Sequence, residues 1–156
     1  MLLNVQHFME SELTTCLFDS NILVYANNMD SPFHEPSKKL VEEVLNCRFK
    51  GVIAHQNLLE LYAVVTDKRR VEKPLTPECA KKLIDFYLSA RNISIIYPSP
   101  ATFSILGKLI EKYAPTSHGI FDFVLVALMI EHNIKTIITA NISHFSNFGE
   151  ITAVSP

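Results

Sequence analysis

Residues 14–26 read TTCLFDSNILVYA, an apolar run that ends in an acid and continues into a second apolar segment. Thr15–Phe18 is short and mostly apolar, which predicts a buried strand. Asp19 follows this strand directly, where the chain enters the next helix. Ligands of parallel α/β sheets bind beyond the carboxyl ends of the strands. Asp19 is therefore the first candidate site residue.

Three further strands alternate with helical segments along the chain. We predict them at Gly51–Ala54, Ser94–Tyr97 and Thr136–Thr139. The segments between them repeat apolar residues at intervals of three and four, as amphipathic helices do. Ile120–His132 is apolar on nearly all sides and predicts the most buried helix. This alternation predicts an α/β fold with three layers, α/β/α, in which helices cover both faces of a mostly parallel central sheet.

The composition indicates one globular domain. The chain has 156 residues, of which 48% are hydrophobic and 19% charged, and this excludes intrinsic disorder. We predict a poorly patterned extension at residues 1–12 and a single domain at residues 13–156. The four glycines form no phosphate-binding loop, and the three separated cysteines predict neither a disulfide scaffold nor a zinc site. We recognise no signal peptide or membrane-spanning stretch and expect a cytoplasmic protein.

Four polar side chains fall at or near the predicted carboxyl edge of the sheet. Asp19 follows the first predicted strand and Asn141 the fourth, Glu60 lies on the helix after the second, and Asp122 begins the buried helix. Ordinary alternatives exist, since aspartates suit helix N-termini, asparagine suits turns, and a glutamate suits an exposed helix face. Independent caps have no reason to converge, whereas grouped carboxylates repel one another unless a cation neutralises them. Oxygen ligands favour Mg²⁺ or Mn²⁺, which commonly bind substrate phosphate.

Three segments resemble the PIN-domain ribonucleases, and among them the VapC-like toxins of toxin–antitoxin pairs. FDSNILVYA at residues 18–26 resembles the family's strand-ending Asp followed by Ser and Asn. NLLELYAVVTDKRR at residues 57–70 resembles the second motif, with its helical Glu. Residues 119–145 resemble the third motif, in which an Asp-led buried helix leads into a strand and a T-x-[ND]-x-x-x-F turn. The resemblance runs from about residue 17 to residue 148, with the motifs in the family's order.

The resemblance implies a three-layer PIN-like domain and a metal-dependent endoribonuclease of the toxin type, which hydrolyses RNA phosphodiester bonds. Asp19, Glu60 and Asp122 would form the acidic triad that holds Mg²⁺ or Mn²⁺, with Asn141 as a possible fourth ligand. Glu60 would also orient or deprotonate the attacking water. Asn141 stands where similar proteins often have a fourth acid. Because an amide is neutral, we predict one well-held ion rather than two. Three neighbouring side chains would hydrogen-bond and orient the carboxylates, namely Ser20, Asn21 and Thr139.

A basic cluster after the Glu60 helix is the predicted contact for the RNA backbone. Its members are Lys68, Arg69, Arg70 and Lys73. A solvated loop with ordinary surface charges is the alternative. Asp67 is either a further site residue or an ion-pair partner of these bases. The net charge of −2 fits this picture, because without the three predicted acids 14 basic residues would face 13 acidic ones.

The expected partners are RNA, a second copy of the chain in a homodimer, and a small antitoxin protein. The apolar stretch after residue 114 is a candidate surface for the protein partners. Asn141 favours a rival, a weak or inactive PIN domain that binds RNA or protein without cutting. A second rival is an unrelated doubly wound domain, such as a phosphate-responsive signalling module. Weaker alternatives are a metal-free pair of His118 and His144 and a reactive Cys79, since neither has a companion motif.

Overall fold

A five-stranded sheet lies at the centre of the molecule. The computed structural model describes residues 15–156, so the predicted extension and its boundary at residue 13 lie outside the described residues. The strand order is β3-β2-β1-β4-β5, and every neighbouring pair is parallel. In chain order the strands are β1 (Thr15–Phe18), β2 (Lys50–Ala54), β3 (Ile93–Ile96), β4 (Thr136–Ile138) and β5 (Thr152–Val154).

Helices cover both faces of this sheet. Within residues 15–156 they are α1 (Ser20–Ala26), α2 (His34–Leu45), α3 (His55–Val65), α4 (Pro77–Ser89), α5 (Pro100–Tyr113), α6 (Ile120–Glu131) and α7 (Ile142–Phe145). Buried side chains of α1 to α4 form one core with Phe18, and those of α5 to α7 form another with Leu17. Successive residues of β1 thus point to opposite faces, as a strand requires. The predicted three-layer α/β/α fold is confirmed.

The predicted strands are close to the observed ones, with differences at their ends. β3 ends at Ile96, because its partner β2 ends at Ala54 and leaves Tyr97 without a residue to pair with. β4 ends at Ile138, although the Thr139 N–H still donates to Val154 O at 2.9 Å. The sequence analysis missed β5, whose three residues are too few to show a strand pattern.

Most of the apolar stretch after residue 114 is core rather than partner surface. Leu125–Met129 of α6 are all buried between the sheet and α5. Phe121, near the start of the same helix, is exposed. Within residues 15–156, every helix is too short or too polar to traverse a lipid bilayer.

The topology selects one position on the sheet for a site. From β1 the chain adds β2 and β3 on one side, then crosses to add β4 and β5 on the other. The crevice beyond the carboxyl ends of β1 and β4 is therefore the switch point at which such sheets bind ligands. A hydrogen bond of 3.0 Å from Asp19 N to Ile138 O joins the two strand ends.

Candidate functional site

A cavity of about 380 Å³ opens at this switch point. Its walls come from α1, α3, the first turn of α6 and the segment that follows β4. The four residues predicted at the carboxyl edge, Asp19, Glu60, Asp122 and Asn141, all line it. The structure therefore brings together side chains that are up to 122 positions apart in the chain.

Asp19 is held by four hydrogen bonds. Its Oδ1 accepts from Ser20 N at 2.7 Å and from Ser20 Oγ at 3.3 Å. Its Oδ2 accepts from Asn21 Nδ2 at 2.7 Å and from Thr139 Oγ1 at 2.6 Å. The bond from Ser20 N caps the first turn of α1. Asp19 is thus both a helix cap and a cavity residue, and the two interpretations of its sequence position are compatible.

Asn21 and Thr139 join α1 to the segment after β4. Asn21 Oδ1 accepts from Ala140 N at 3.1 Å, and Asn21 Nδ2 donates to Thr139 Oγ1 at 3.1 Å. Thr139 Oγ1 also accepts from Asn141 N at 3.0 Å. The buried Thr139 hydroxyl therefore fixes both the carboxylate of Asp19 and the backbone of Asn141.

The pKa values of the three acids are all raised. Burial is the main cause that raises the pKa of Asp19, of Glu60 and of Asp122. The charges of Asp19 and Asp122 raise the pKa of Glu60 further, and the charge of Asp19 raises that of Asp122. Hydrogen bonds from Thr139 and Ser20 lower the pKa of Asp19 in part. The cavity is thus a place where a cation would relieve both desolvation and repulsion.

His144 is a cavity residue to which the sequence analysis gave only a minor role. Its Nδ1 lies 3.2 Å from Asp122 Oδ2, and its charge lowers the pKa of Asp122. The short helix α7 positions it three residues after Asn141, a spacing that places two residues on one helix face. His118 lies outside the cavity, with its ring 6.4 Å from that of Phe121, so the pair of histidines considered as an alternative is not assembled.

The residues of the predicted basic cluster have different surroundings. Arg70 lines the cavity, whereas Arg69 makes a forked ion pair with Asp67, from Nη2 to Oδ2 at 2.9 Å and from Nε to Oδ1 at 3.1 Å. Asp67 lies beyond the end of α3 and is an ion-pair partner rather than a site residue. Its hydrogen bonds with Arg69 lower its pKa to about 2.

The two lysines of the cluster also lie outside the cavity. Lys73 lines an adjoining, small pocket that shares Asn28 with the cavity, and Lys68 is exposed. The chain turns after α3, with Arg70 N donating to Asp67 O at 2.9 Å. Cys79 is an exposed residue in the first turn of α4, also outside the cavity.

The donors in the cavity fit a hard divalent cation. Within residues 15–156, no three His, Cys, Asp or Glu side chains are grouped tightly enough to form a complete metal site by themselves. Mg²⁺ does not require such a group, because it usually keeps several waters and takes one or two carboxylates together with substrate phosphate. The cavity holds three mutually repelling carboxylates and an amide, which is enough to supply the one or two carboxylate ligands that Mg²⁺ takes.

Comparisons with known proteins agree with this geometry. Ribonuclease VapC48 of Mycobacterium tuberculosis is 30% identical over 120 residues, which are 77% of this chain and 83% of that protein. The crystal structure of VapBC2 from Rickettsia felis, bound to a DNA fragment from its promoter, matches with a TM-score of 0.65 at 22% identity. That match covers 92% of this chain and 99% of the other.

A second solved structure shares the fold. Mycobacterium tuberculosis VapC20, a sarcin–ricin loop cleaving toxin, matches with a TM-score of 0.63 at 12% identity, over 87% of this chain and 98% of that one. The PIN domain profile matches residues 16–150, a range that contains all four predicted carboxyl-edge residues. On this match the chain belongs to the PIN domain family.

Proposed function

We propose that the protein is a metal-dependent endoribonuclease that hydrolyses RNA phosphodiester bonds in the cytoplasm, as the toxin of a toxin–antitoxin pair. The observation that carries this proposal is the convergence of Asp19, Glu60 and Asp122 on one cavity at the switch point of the sheet. The ribonuclease and the toxin among the similar proteins support the same activity. A toxin–antitoxin complex from Klebsiella pneumoniae that shares the fold supports a small antitoxin as partner.

In this proposal Asp19 and Asp122 hold Mg²⁺ or Mn²⁺. Asn141 adds at most a neutral oxygen, so one ion is expected rather than two. When bound, the ion supplies positive charge that stabilises the non-bridging phosphate oxygens in the transition state. Glu60 orients the attacking water and accepts its proton, and the burial that raises its pKa makes it a stronger base.

Arg70 is the cation that we propose for the RNA phosphates. It lines the cavity, and no carboxylate of residues 15–156 lies within 4.0 Å of its guanidinium. Arg69 is already neutralised by Asp67. One available arginine beside three acids implies that RNA binds weakly until a cation occupies the site.

The test is incubation of the purified protein with end-labelled single-stranded RNA. We expect cleavage with Mg²⁺ or Mn²⁺, loss of cleavage after chelation, recovery when the metal is restored, and products that carry a 5′ phosphate. Cleavage that persists in chelator would contradict the metal-dependent mechanism. Binding without cleavage at any metal concentration would instead favour a PIN domain that binds without cutting, the alternative consistent with the neutral Asn141.

We also propose that a second copy of the chain covers an exposed apolar face. Leu59 of α3 and Phe121 of α6 are 64% and 56% exposed, and Gln56 Nε2 joins the two helices through a 3.3 Å bond to Phe121 O. Exposed apolar patches commonly mark protein interfaces. Leu59→Glu is expected to turn a dimer into a monomer in sedimentation equilibrium. Leu88→Glu, at a 50% exposed residue of α4, should leave the dimer intact. A monomeric wild-type protein would contradict this proposal.

A further inference from the structure

The cavity extends beyond the acidic residues. At about 30 Å³ for each water, its volume of about 380 Å³ holds roughly a dozen waters, twice the six that surround an octahedral Mg²⁺. The site therefore has room for a further chemical group beside a hydrated ion. Besides the acids and their neighbours, the cavity is lined by Val24 and Tyr25 of α1, by Val64 of α3, and by Asn28 and Arg70.

Along α1 and along α3, the residues that line the cavity change from polar to apolar or aromatic. On α1, Tyr25 lies one turn after Asn21, and on α3, Val64 lies one turn after Glu60. Residues four apart share a helix face, so each polar side chain is followed along the cavity wall by an apolar or aromatic one. The cavity thus passes from a charged end to a flat, mostly apolar end within one helical turn.

Tyr25 is held in place while remaining accessible. Its ring stacks on that of Phe33 with centroids 5.2 Å apart and an interplanar angle of 26°. The backbone carbonyl of Tyr25 lies 2.9 Å from His34 Nδ1 and accepts from Asn28 N at 3.2 Å. The side chain is only partly buried and lines the cavity. A ring fixed in this way loses little entropy when a second flat group stacks on it.

Asn28 retains hydrogen-bonding capacity beside this ring. Its Oδ1 accepts from Asp30 N at 3.2 Å, whereas its Nδ2 donates to no group among residues 15–156. An amide donor next to an aromatic ring can pair with an acceptor on the edge of a stacked base. The guanidinium of Arg70 lines the same cavity and supplies charge for a neighbouring phosphate.

We propose that this end of the cavity is a nucleobase subsite, in which the base next to the scissile phosphate stacks on Tyr25 between Val24 and Val64. Asn28 binds the base edge and Arg70 the phosphate. The inference rests on the proposed ribonuclease function and specifies its substrate. The RNA must be unpaired at the cleavage position, because a base held in a duplex cannot enter the cavity.

The test combines variants of Tyr25 with an abasic substrate. Cleavage sites are first mapped with wild-type protein on single-stranded RNA, and an abasic nucleotide is then placed on either side of the cleaved bond. We expect Tyr25→Ala to raise KM about tenfold, the size of one base–aromatic stacking contact, with kcat changed much less. Tyr25→Phe should stay within about twofold of wild type, since its ring still stacks.

Further variants separate stacking from stability. Tyr25→Leu keeps apolar packing against Phe33 without a flat π face, and it should raise KM as Tyr25→Ala does while thermal unfolding stays near wild type. Phe86→Ala is the matched control. Phe86 is also an exposed aromatic that packs on a neighbouring ring, edge-to-face on Tyr87 with centroids 5.2 Å apart, but it lies on α4 outside the cavity. The KM of the Phe86→Ala protein should equal that of wild type.

A double-mutant cycle gives the decisive result. If the missing base is the one that contacts Tyr25, the abasic RNA raises the KM of the wild-type protein about tenfold. The same RNA then raises the KM of Tyr25→Ala no further. The subsite is overturned if the increases in KM from Tyr25→Ala and from the abasic nucleotide are additive on both sides of the cleaved bond. It is also overturned if Tyr25→Ala leaves KM unchanged. The ribonuclease function stands in both cases. If Tyr25→Ala cleaves RNA with unchanged kinetics but no longer binds a small partner protein, the surface is a protein-docking site. That result also overturns the nucleobase subsite. A wild-type protein that cleaves no RNA overturns both proposals.

Discussion

Replacing Asp19 with Asn is expected to lower the rate of RNA cleavage by about a hundred- to a thousandfold. A correctly held ion contributes several kcal/mol of charge stabilisation to the transition state, and each 1.4 kcal/mol corresponds to a factor of about ten. Asn has nearly the shape of Asp but no charge, so it cannot neutralise a divalent cation. The measurement is the single-turnover rate on labelled single-stranded RNA at fixed Mg²⁺.

This variant should remain folded, which makes its loss of activity interpretable. Asn caps helices as well as Asp does, and burial already raises the pKa of Asp19, so removal of the charge relieves a desolvation cost. Thermal unfolding and circular dichroism check the fold. Asp85→Asn is the matched control, because Asp85 is an exposed acid of α4 paired with Lys81, and it should cleave at the wild-type rate. Undiminished cleavage by Asp19→Asn would refute the assigned role.

Replacing Thr139 with Val should raise the Mg²⁺ concentration needed for half-maximal cleavage by about ten- to a hundredfold. Val has the shape of Thr without the hydroxyl. Asp19 then loses one of its four hydrogen-bond donors, and the donors Asn21 Nδ2 and Asn141 N lose their buried acceptor. The carboxylate is consequently less well oriented for a metal. A Mg²⁺ titration of the cleavage rate measures the effect.

Thr139→Ser is the rescue variant, since it restores the hydroxyl and should restore most of the Mg²⁺ affinity. The Val variant is also expected to lose about 1–3 kcal/mol of unfolding free energy, because the buried hydroxyl's bond to the Asp19 carboxylate and its acceptance from Asn141 N are both lost. Both proteins are therefore titrated at a temperature well below their unfolding transitions. A metal dependence of Thr139→Val identical to wild type would show that the hydroxyl does not orient the site.

The acidic part of the site was predictable because strand, acid and helix follow one another in the chain. Asp19 ends β1 and starts α1, so its place at the sheet edge follows from local sequence alone. Glu60 and Asp122 follow from helices whose apolar segments are long enough to recognise. Parallel pairing then brings the strand ends to one edge without any knowledge of the loops.

Features that depend on short or irregular segments were not predictable in the same way. The different surroundings of the basic residues could not be predicted, because α3 ends at Val65 and helical spacing no longer relates one side chain to the next beyond it. α7 has four residues, too few for a periodic signal, so the approach of His144 to Asp122 is visible only in three dimensions. The same applies to Tyr25, whose position depends on contacts with Phe33 and His34 beyond the end of α1.

The double use of Asp19 as cap and cavity acid has an evolutionary consequence. Helix caps accept Asn, Asp and Ser almost equally, so selection for the fold does not by itself maintain an acid at this position. If Asp19 holds the metal as proposed, a single nucleotide change from an Asp codon to an Asn codon would give a copy with the same outer surface and a much lower activity. A duplicated gene carrying that change would produce a decoy that still binds whatever protein restrains the active form.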